Sequence, residues 1–203
     1  MRYFYWVLQT IIWPISWLIL RVFFRFEIHG KENIKGLKGP LIIISNHIAF
    51  YDAFLIGGVL PWFSFLFPLR FMGETKKLNH PVVEFLRKIG LIRLIFFITG
   101  VFPSKRGEGI EAAIKIPVGI LSRGGTVVMF PEGRVNKQGK VMEFRHGATA
   151  LARASGANIL PISLRPDGRK IILNIGVPFK LQEEKLELGT LFLREKVEGL
   201  FLA

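Results

Sequence analysis

Four histidines occur among the 203 residues, and one of them stands where it could do chemistry. His47 precedes Asp52 by five positions in Ser45-Asn46-His47-Ile48-Ala49-Phe50-Tyr51-Asp52, directly after the apolar run 41–44. An imidazole with one ring nitrogen held by a carboxylate is the usual construction of a general base. The carboxylate fixes the tautomer and stabilises the imidazolium, and the other nitrogen stays free to take a proton. On one straight helix, a spacing of five leaves the two side chains about 140° apart. The pair can meet only if a strand ends near Ser45, a turn exposes His47, and a new helix opens near Asp52, where a carboxylate is favoured. A structural histidine and a helix-capping aspartate are the plainer readings. Ser45, beside His47, stays open as a nucleophile.

Two further stretches carry chemistry-bearing residues. Phe130-Pro131-Glu132-Gly133-Arg134 follows a second buried run, and Arg134 offers a planar fork for a phosphate. A charged surface loop is the alternative. The spacing from Gly133 to Gly139-Lys140 is wrong for a P-loop, and Val141 stands where that motif needs Ser or Thr. Ser104-Lys105-Arg106 lies where a strand runs out ahead of a helix, and two cations beside a helix N-terminus make a phosphate site. Gly107-x-Gly109 imitates half of a dinucleotide fingerprint, but no suitable acidic residue follows, and a nicotinamide cofactor is rejected.

These loops must be positioned by elements that alternate along the chain. Short apolar, β-rich runs occur at 26–30, 41–45, 63–72, 95–102, 126–130, 159–164 and 170–175. Helical patterns occupy 51–60, 80–89, 107–122 and 144–155, with an amphipathic tail at 180–202. The runs at 41–45 and 126–130 are apolar without alternation, as strands covered on both faces are. The expected fold is α/β, a largely parallel central sheet flanked by helices, and sites in such sheets gather at the carboxyl ends of the strands.

The first 25 residues are a separate matter. Residues 3–20 carry no charge, which is at the lower limit for spanning a bilayer. Pro14 lies mid-segment, Trp6, Trp13 and Trp17 are spread along it, and basic residues stand at both ends. These features favour two short helices bent near Pro14 and lying in one leaflet, over a single span or a core helix. The chain divides into this membrane-interface element, 1–25, and an α/β domain, 26–203.

Composition narrows the partners. Lys and Arg number 28 against 15 Asp and Glu, a net charge of +13, so an anionic partner is expected. Mean hydropathy is positive, +0.39, which favours an anionic membrane surface over nucleic acid. There is no cysteine, which excludes disulfides, a thiol nucleophile and thiolate metal sites. There is also no Gly-x-Ser-x-Gly elbow.

Together the motifs resemble the glycerolipid acyltransferase family, particularly the 1-acyl-glycerol-3-phosphate (lysophosphatidic acid) acyltransferases. Asn46-His47-x4-Asp52 is similar to the family's first block, residues 100–106 to its second, Phe130-Pro131-Glu132-Gly133 to its third and Ile159-Leu160-Pro161-Ile162 to its fourth. Phe144-Arg145-His146-Gly147 matches the Phe-Lys-x-Gly that usually follows the third. The family usually reads Phe-Pro-Glu-Gly-Thr-Arg, whereas here Arg134 follows Gly133 directly. The family's lysine ahead of the second block falls on Lys76, Lys77 or neither.

The resemblance implies a reaction. His47 would deprotonate the sn-2 hydroxyl of 1-acyl-glycerol-3-phosphate, with Asp52 orienting it. The alkoxide would attack the thioester of acyl carrier protein or coenzyme A, giving phosphatidic acid. Arg106, with Lys105 and Arg134, would hold the phosphate, and Glu132 and Gly133 would position the glycerol. No metal or cofactor is expected, since the acyl thioester is a co-substrate. The expected location is the cell membrane, with the catalytic domain on its cytoplasmic face. Glycerol-3-phosphate or another lysophospholipid is the alternative acceptor, and a non-catalytic membrane-binding protein is the alternative from another class. The apolar segment 54–69 would line an acyl tunnel or simply pack in the core.

Overall fold

The computed structural model describes residues 2–62, 64–73, 85–86, 88–104, 107–136 and 138–203. A seven-stranded sheet organises them: β1 (Arg25–His29), β2 (Leu41–Ser45), β3 (Leu69–Gly73), β4 (Val101–Pro103), β5 (Thr126–Met129), β6 (Asn158–Asp167) and β7 (Lys170–Ile175). Their order is β1-β7-β6-β2-β5-β3-β4. All pairings are parallel except the β6–β7 hairpin. Around the sheet lie α1 (Arg2–Phe23), α2 (Asp52–Val59), α3 (Leu91–Thr99), α4 (Ile110–Leu121), α5 (Gly147–Ser155) and α6 (Leu186–Leu202).

The continuous Leu-Ile-Ile-Ile run of β2 is explained by a core on each face. Leu41 and Ile43 join the core under α1 and α2, and Ile42 and Ile44 join the one shared with α4, α5 and α6. Burying both faces of a central strand is what removes the alternation from its sequence. Most of the apolar residues at 54–69 are in the first core: Leu55, Ile56, Val59, Leu60, Leu66, Phe67 and Leu69 are all buried, so their role here is packing.

Of the strand expected at 63–72 only Leu69–Gly73 pairs as β3, the helix expected at 80–89 lies mostly outside the described residues, and two further expectations are corrected. Residues 91–99, placed largely in a strand from 95, form helix α3, and only Val101–Pro103 pair as β4. The run Leu-Ile-Arg-Leu-Ile-Phe-Phe-Ile-Thr is apolar nearly all round, so periodicity does not separate strand from helix. Gly90 and Gly100, at φ 80° and 75°, bracket the helix in a left-handed conformation open to glycine.

The N-terminal segment is one helix with Pro14 inside it, not two. Tyr5, Gln9, Trp13 and Trp17 recur every four residues and are all buried against the domain. That packing outweighs an interior proline's cost of about 3 kcal/mol. Trp13 meets Phe54 of α2 and Phe71 of β3, and Trp17 stacks on Phe26 of β1. The Gln9 amide donates to Leu69 O at 2.9 Å and Thr99 O at 3.1 Å, and its oxygen accepts from Leu69 N at 2.8 Å. Helix α1 is therefore fastened to the start of β3 and the end of α3. Its opposite face leaves Phe4, Val7, Ile11, Ile15, Leu18, Ile19, Val22 and Phe23 exposed.

Candidate active site

Strand β2 delivers the site. Where its ladder with β6 stops, the buried Asn46 side chain continues it: Nδ2 donates to Leu164 O and Oδ1 accepts from Leu164 N, both at 2.8 Å. The amide imitates one more backbone rung, so the chain turns out of the sheet at a defined point, and the next residue is His47. Phe24, just past α1, lies against Tyr51 at the far end of the turn, ring centroids 5.3 Å apart.

The turn folds back on Asp52, the first residue of α2. His47 Nδ1 lies 2.7 Å from Asp52 Oδ2. The same oxygen accepts from Ile48 N at 2.7 Å and Ala49 N at 2.9 Å. Asp52 is fully buried, and the His47 side chain is 19% exposed. Burial pushes the Asp52 carboxyl above its ordinary range, opposed by His47 and the two amides, which favour the anion. With Nδ1 engaged, Nε2 is the ring nitrogen left to exchange a proton with an outside group.

The loop after β5 closes over this pair. Phe130 stacks on the His47 ring, centroids 4.3 Å apart and planes 15° from parallel. Asn136 N donates to His47 O at 2.7 Å. Asn136 also braces its own loop, donating from Nδ2 to Lys140 O and accepting from Gln138 N. Gly133, at φ 71°, turns the chain, with its N–H on Phe130 O at 2.9 Å. Glu132 is 4% exposed; its Oε1 accepts from Met142 N at 3.2 Å, while Oε2 is buried without a hydrogen-bond partner among the described residues. Burial raises the Glu132 carboxyl above its ordinary value, against the Met142 amide, Asn136 and His47.

The loops carrying His47 and Glu132 thus converge at the carboxyl ends of β2 and β5, and Arg134 is exposed on the second. Lys105, Arg106, Lys76 and Lys77 lie outside the described residues. Strand β4, which precedes Lys105, runs parallel to β3 and ends at this same sheet edge. Ser45 is completely buried within β2, so a nucleophile there has no access to substrate. Phe144-Arg145-His146-Gly147 supports the site from outside. Phe144 is buried in the core, Arg145 N donates to Pro131 O, and His146 pairs with Thr190 of α6. Sequence reading assigned no task to Asn46, Asn136 or Phe130. A short amide at a strand end or in a turn was the available signal.

A polarised histidine beside a strand-end loop is compatible with several chemistries. A family model described as Acyltransferase matches residues 25–165, more than half of the chain. The chain belongs to the acyltransferase family. The match begins at β1 and ends in β6, enclosing both loops of the site. Among curated relatives, the chloroplastic 1-acyl-sn-glycerol-3-phosphate acyltransferase of Arabidopsis thaliana is 28% identical over 76% of this chain and 41% of its own. The 1-acyl-sn-glycerol-3-phosphate acyltransferase of Borreliella burgdorferi is also 28% identical, over 74% and 55%. The chain spans about half the length of these acyltransferases. The crystal structure of the 1-acyl-sn-glycerophosphate acyltransferase from Thermotoga maritima superposes with a TM-score of 0.70 at 22% identity, covering 95% of this chain and 78% of that one. It shares the α/β fold.

Proposed function

We propose that this acyltransferase moves a fatty acyl group from a thioester of acyl carrier protein or coenzyme A to the sn-2 hydroxyl of 1-acyl-glycerol-3-phosphate, forming phosphatidic acid. The observation that carries the reading is the His47–Asp52 pair, with three donors converging on one buried carboxylate oxygen. His47 Nε2 takes the hydroxyl proton, and the oxygen attacks the thioester carbonyl carbon. The tetrahedral intermediate collapses with cleavage of the C–S bond, and the imidazolium returns the proton to the departing thiolate. A thioester is already activated, so transfer is direct, and the burial of Ser45 supports a route without an acyl-enzyme. Lys105, Arg106 and Arg134 neutralise the acceptor's phosphate, and Glu132 and Gly133 position its glycerol. The acceptor's acyl chain supports a reaction at the surface of the cell membrane, and the water-soluble thioester donor supports its cytoplasmic face.

Helix α1 is the docking element. By length and composition, Phe4–Phe23 could cross a bilayer. However, its face from Tyr5 to Trp17, about 18 Å at 1.5 Å per residue, is fastened to the domain. Threading it through a hydrocarbon layer about 30 Å thick would submerge the charged domain beside it. The helix therefore lies in the plane of one leaflet, with its exposed apolar face down.

The test is acyl transfer in detergent or vesicles with a panel of donors and acceptors. Wild type should acylate 1-acyl-glycerol-3-phosphate, and His47→Ala should lose activity about 10²–10⁴-fold while keeping its fold and membrane binding. Activity on glycerol-3-phosphate alone would reassign the acceptor. A phenotype untouched by His47→Ala would make the protein a non-catalytic membrane binder.

A further inference from the structure

Helix α1 does not supply the whole apolar surface on its side of the molecule. Helix α3 packs beside it, with Phe97 5.8 Å from Phe4 and 5.6 Å from Tyr5 by ring centroids. The outward face of α3 carries Leu91, Leu94 and Phe97, exposed by 38%, 52% and 50%. A helix face turned to water is normally polar, and contiguous apolar patches of this kind mark interaction sites. Through Phe4 and Phe97 this face is continuous with the exposed row on α1.

Charge identifies the occupant. The chain has 15 acidic residues, yet residues 1–26 and 85–107, which hold α1 and α3, contain none. Arg21 and Arg25 border the surface at one end, and Lys88 and Arg93 are exposed on the α3 side. An apolar face on two acid-free segments, with exposed cations beside it, matches an anionic lipid surface, where aliphatic and aromatic groups enter the acyl region and cations meet phosphates. A second copy of this chain would bring like charges together.

We infer that α3 is a second membrane-embedding element, docking side by side with α1 into one anionic leaflet. The inference rests on the proposal that α1 lies in the membrane plane. Two contacts resist rolling about the α1 axis, which a single helix does not, and so fix how the domain is tilted over the bilayer.

The absence of native cysteine makes the test clean. An environment-sensitive fluorophore is attached to Leu94→Cys, to Ile15→Cys on α1, or to Leu191→Cys on α6, and vesicles of phosphatidylcholine with phosphatidylglycerol are added. Blue shift and quenching by lipid-borne nitroxides are expected at Leu94→Cys and Ile15→Cys but not at Leu191→Cys. A water-like label at Leu94→Cys beside a lipid-embedded one at Ile15→Cys overturns the inference and leaves the docking of α1 standing. Water-like labels at both positions overturn both. A blue shift at Leu94→Cys that grows with protein concentration before vesicles are added assigns the face to a second copy and also overturns it. Leu91→Gln/Leu94→Gln should bind vesicles about tenfold more weakly while turning over a water-soluble, short-chain lysophosphatidate at the wild-type rate; unchanged vesicle binding counts against the inference.

Discussion

One oxygen of Asp52 takes every hydrogen bond that its carboxylate makes among the described residues; the other is buried and takes none. Asp52→Asn should leave the fold intact and lower kcat about 10³-fold, because an amide placed there can no longer enforce the productive tautomer and stabilise imidazolium. Single-turnover transfer alongside circular dichroism checks this. Asn46→Ala is expected to act through position, since it strips partners from the buried N–H and C=O of Leu164. A loss of about 2–4 kcal/mol in urea unfolding is expected. Glu132 gives a pH signature. Its folded-state pKa is raised by burial, so the folded protein holds that proton more tightly than the unfolded chain does. The stability this contributes is present at low pH and is lost as pH rises through the raised value. Glu132→Gln removes that loss. The variant's Tm advantage over wild type should therefore grow from acid to neutral pH as activity falls; a constant difference across that range would contradict the assignment.

Among the elements, the contact between α1 and α2 depends on absent side chains. A β-carbon on Gly57 or Gly58 would run into the indole of Trp13 or Trp17. Gly58→Ala is expected to cost about 1–3 kcal/mol by overpacking, read as a lowered Tm, whereas Gly139→Ala, at a left-handed turn in open space, should show only backbone strain. These contacts also show what was legible in the sequence. Strand β2, strand β5 and the helices at 110–121 and 147–155 stood out because their burial pattern is local. The His47–Asp52 pair was legible for the same reason, with both partners in one turn. Helix α3 was not, because a run apolar nearly all round has no polar face to reveal its period. The Asn46–Leu164 rung and the Phe130 stack bridge segments 118 and 83 positions apart, through backbone groups and ring faces that carry no residue-type code.

At the scale of the whole molecule, fastening α1 along its length makes a topology prediction. A tag at residue 1 and one at residue 203 should both be cleaved from the side that carries the catalytic domain, and protection of the first alone would indicate a span. The β6–β7 hairpin has a consequence for substrate traffic. Because β7 opposes β6 and β1 runs parallel to β7, the chain leaves α1 and enters β1 at the same end of the sheet where β2 releases His47. The Phe24–Tyr51 contact closes that short distance. On the proposed function, the reversed strand pair sets the base level with the end of the membrane-docking helix. The hydroxyl of the proposed lysolipid acceptor would then meet the base from headgroup depth while its acyl chain stays among neighbouring lipids, and the cost of extracting a whole lipid into water would drop out of the proposed reaction.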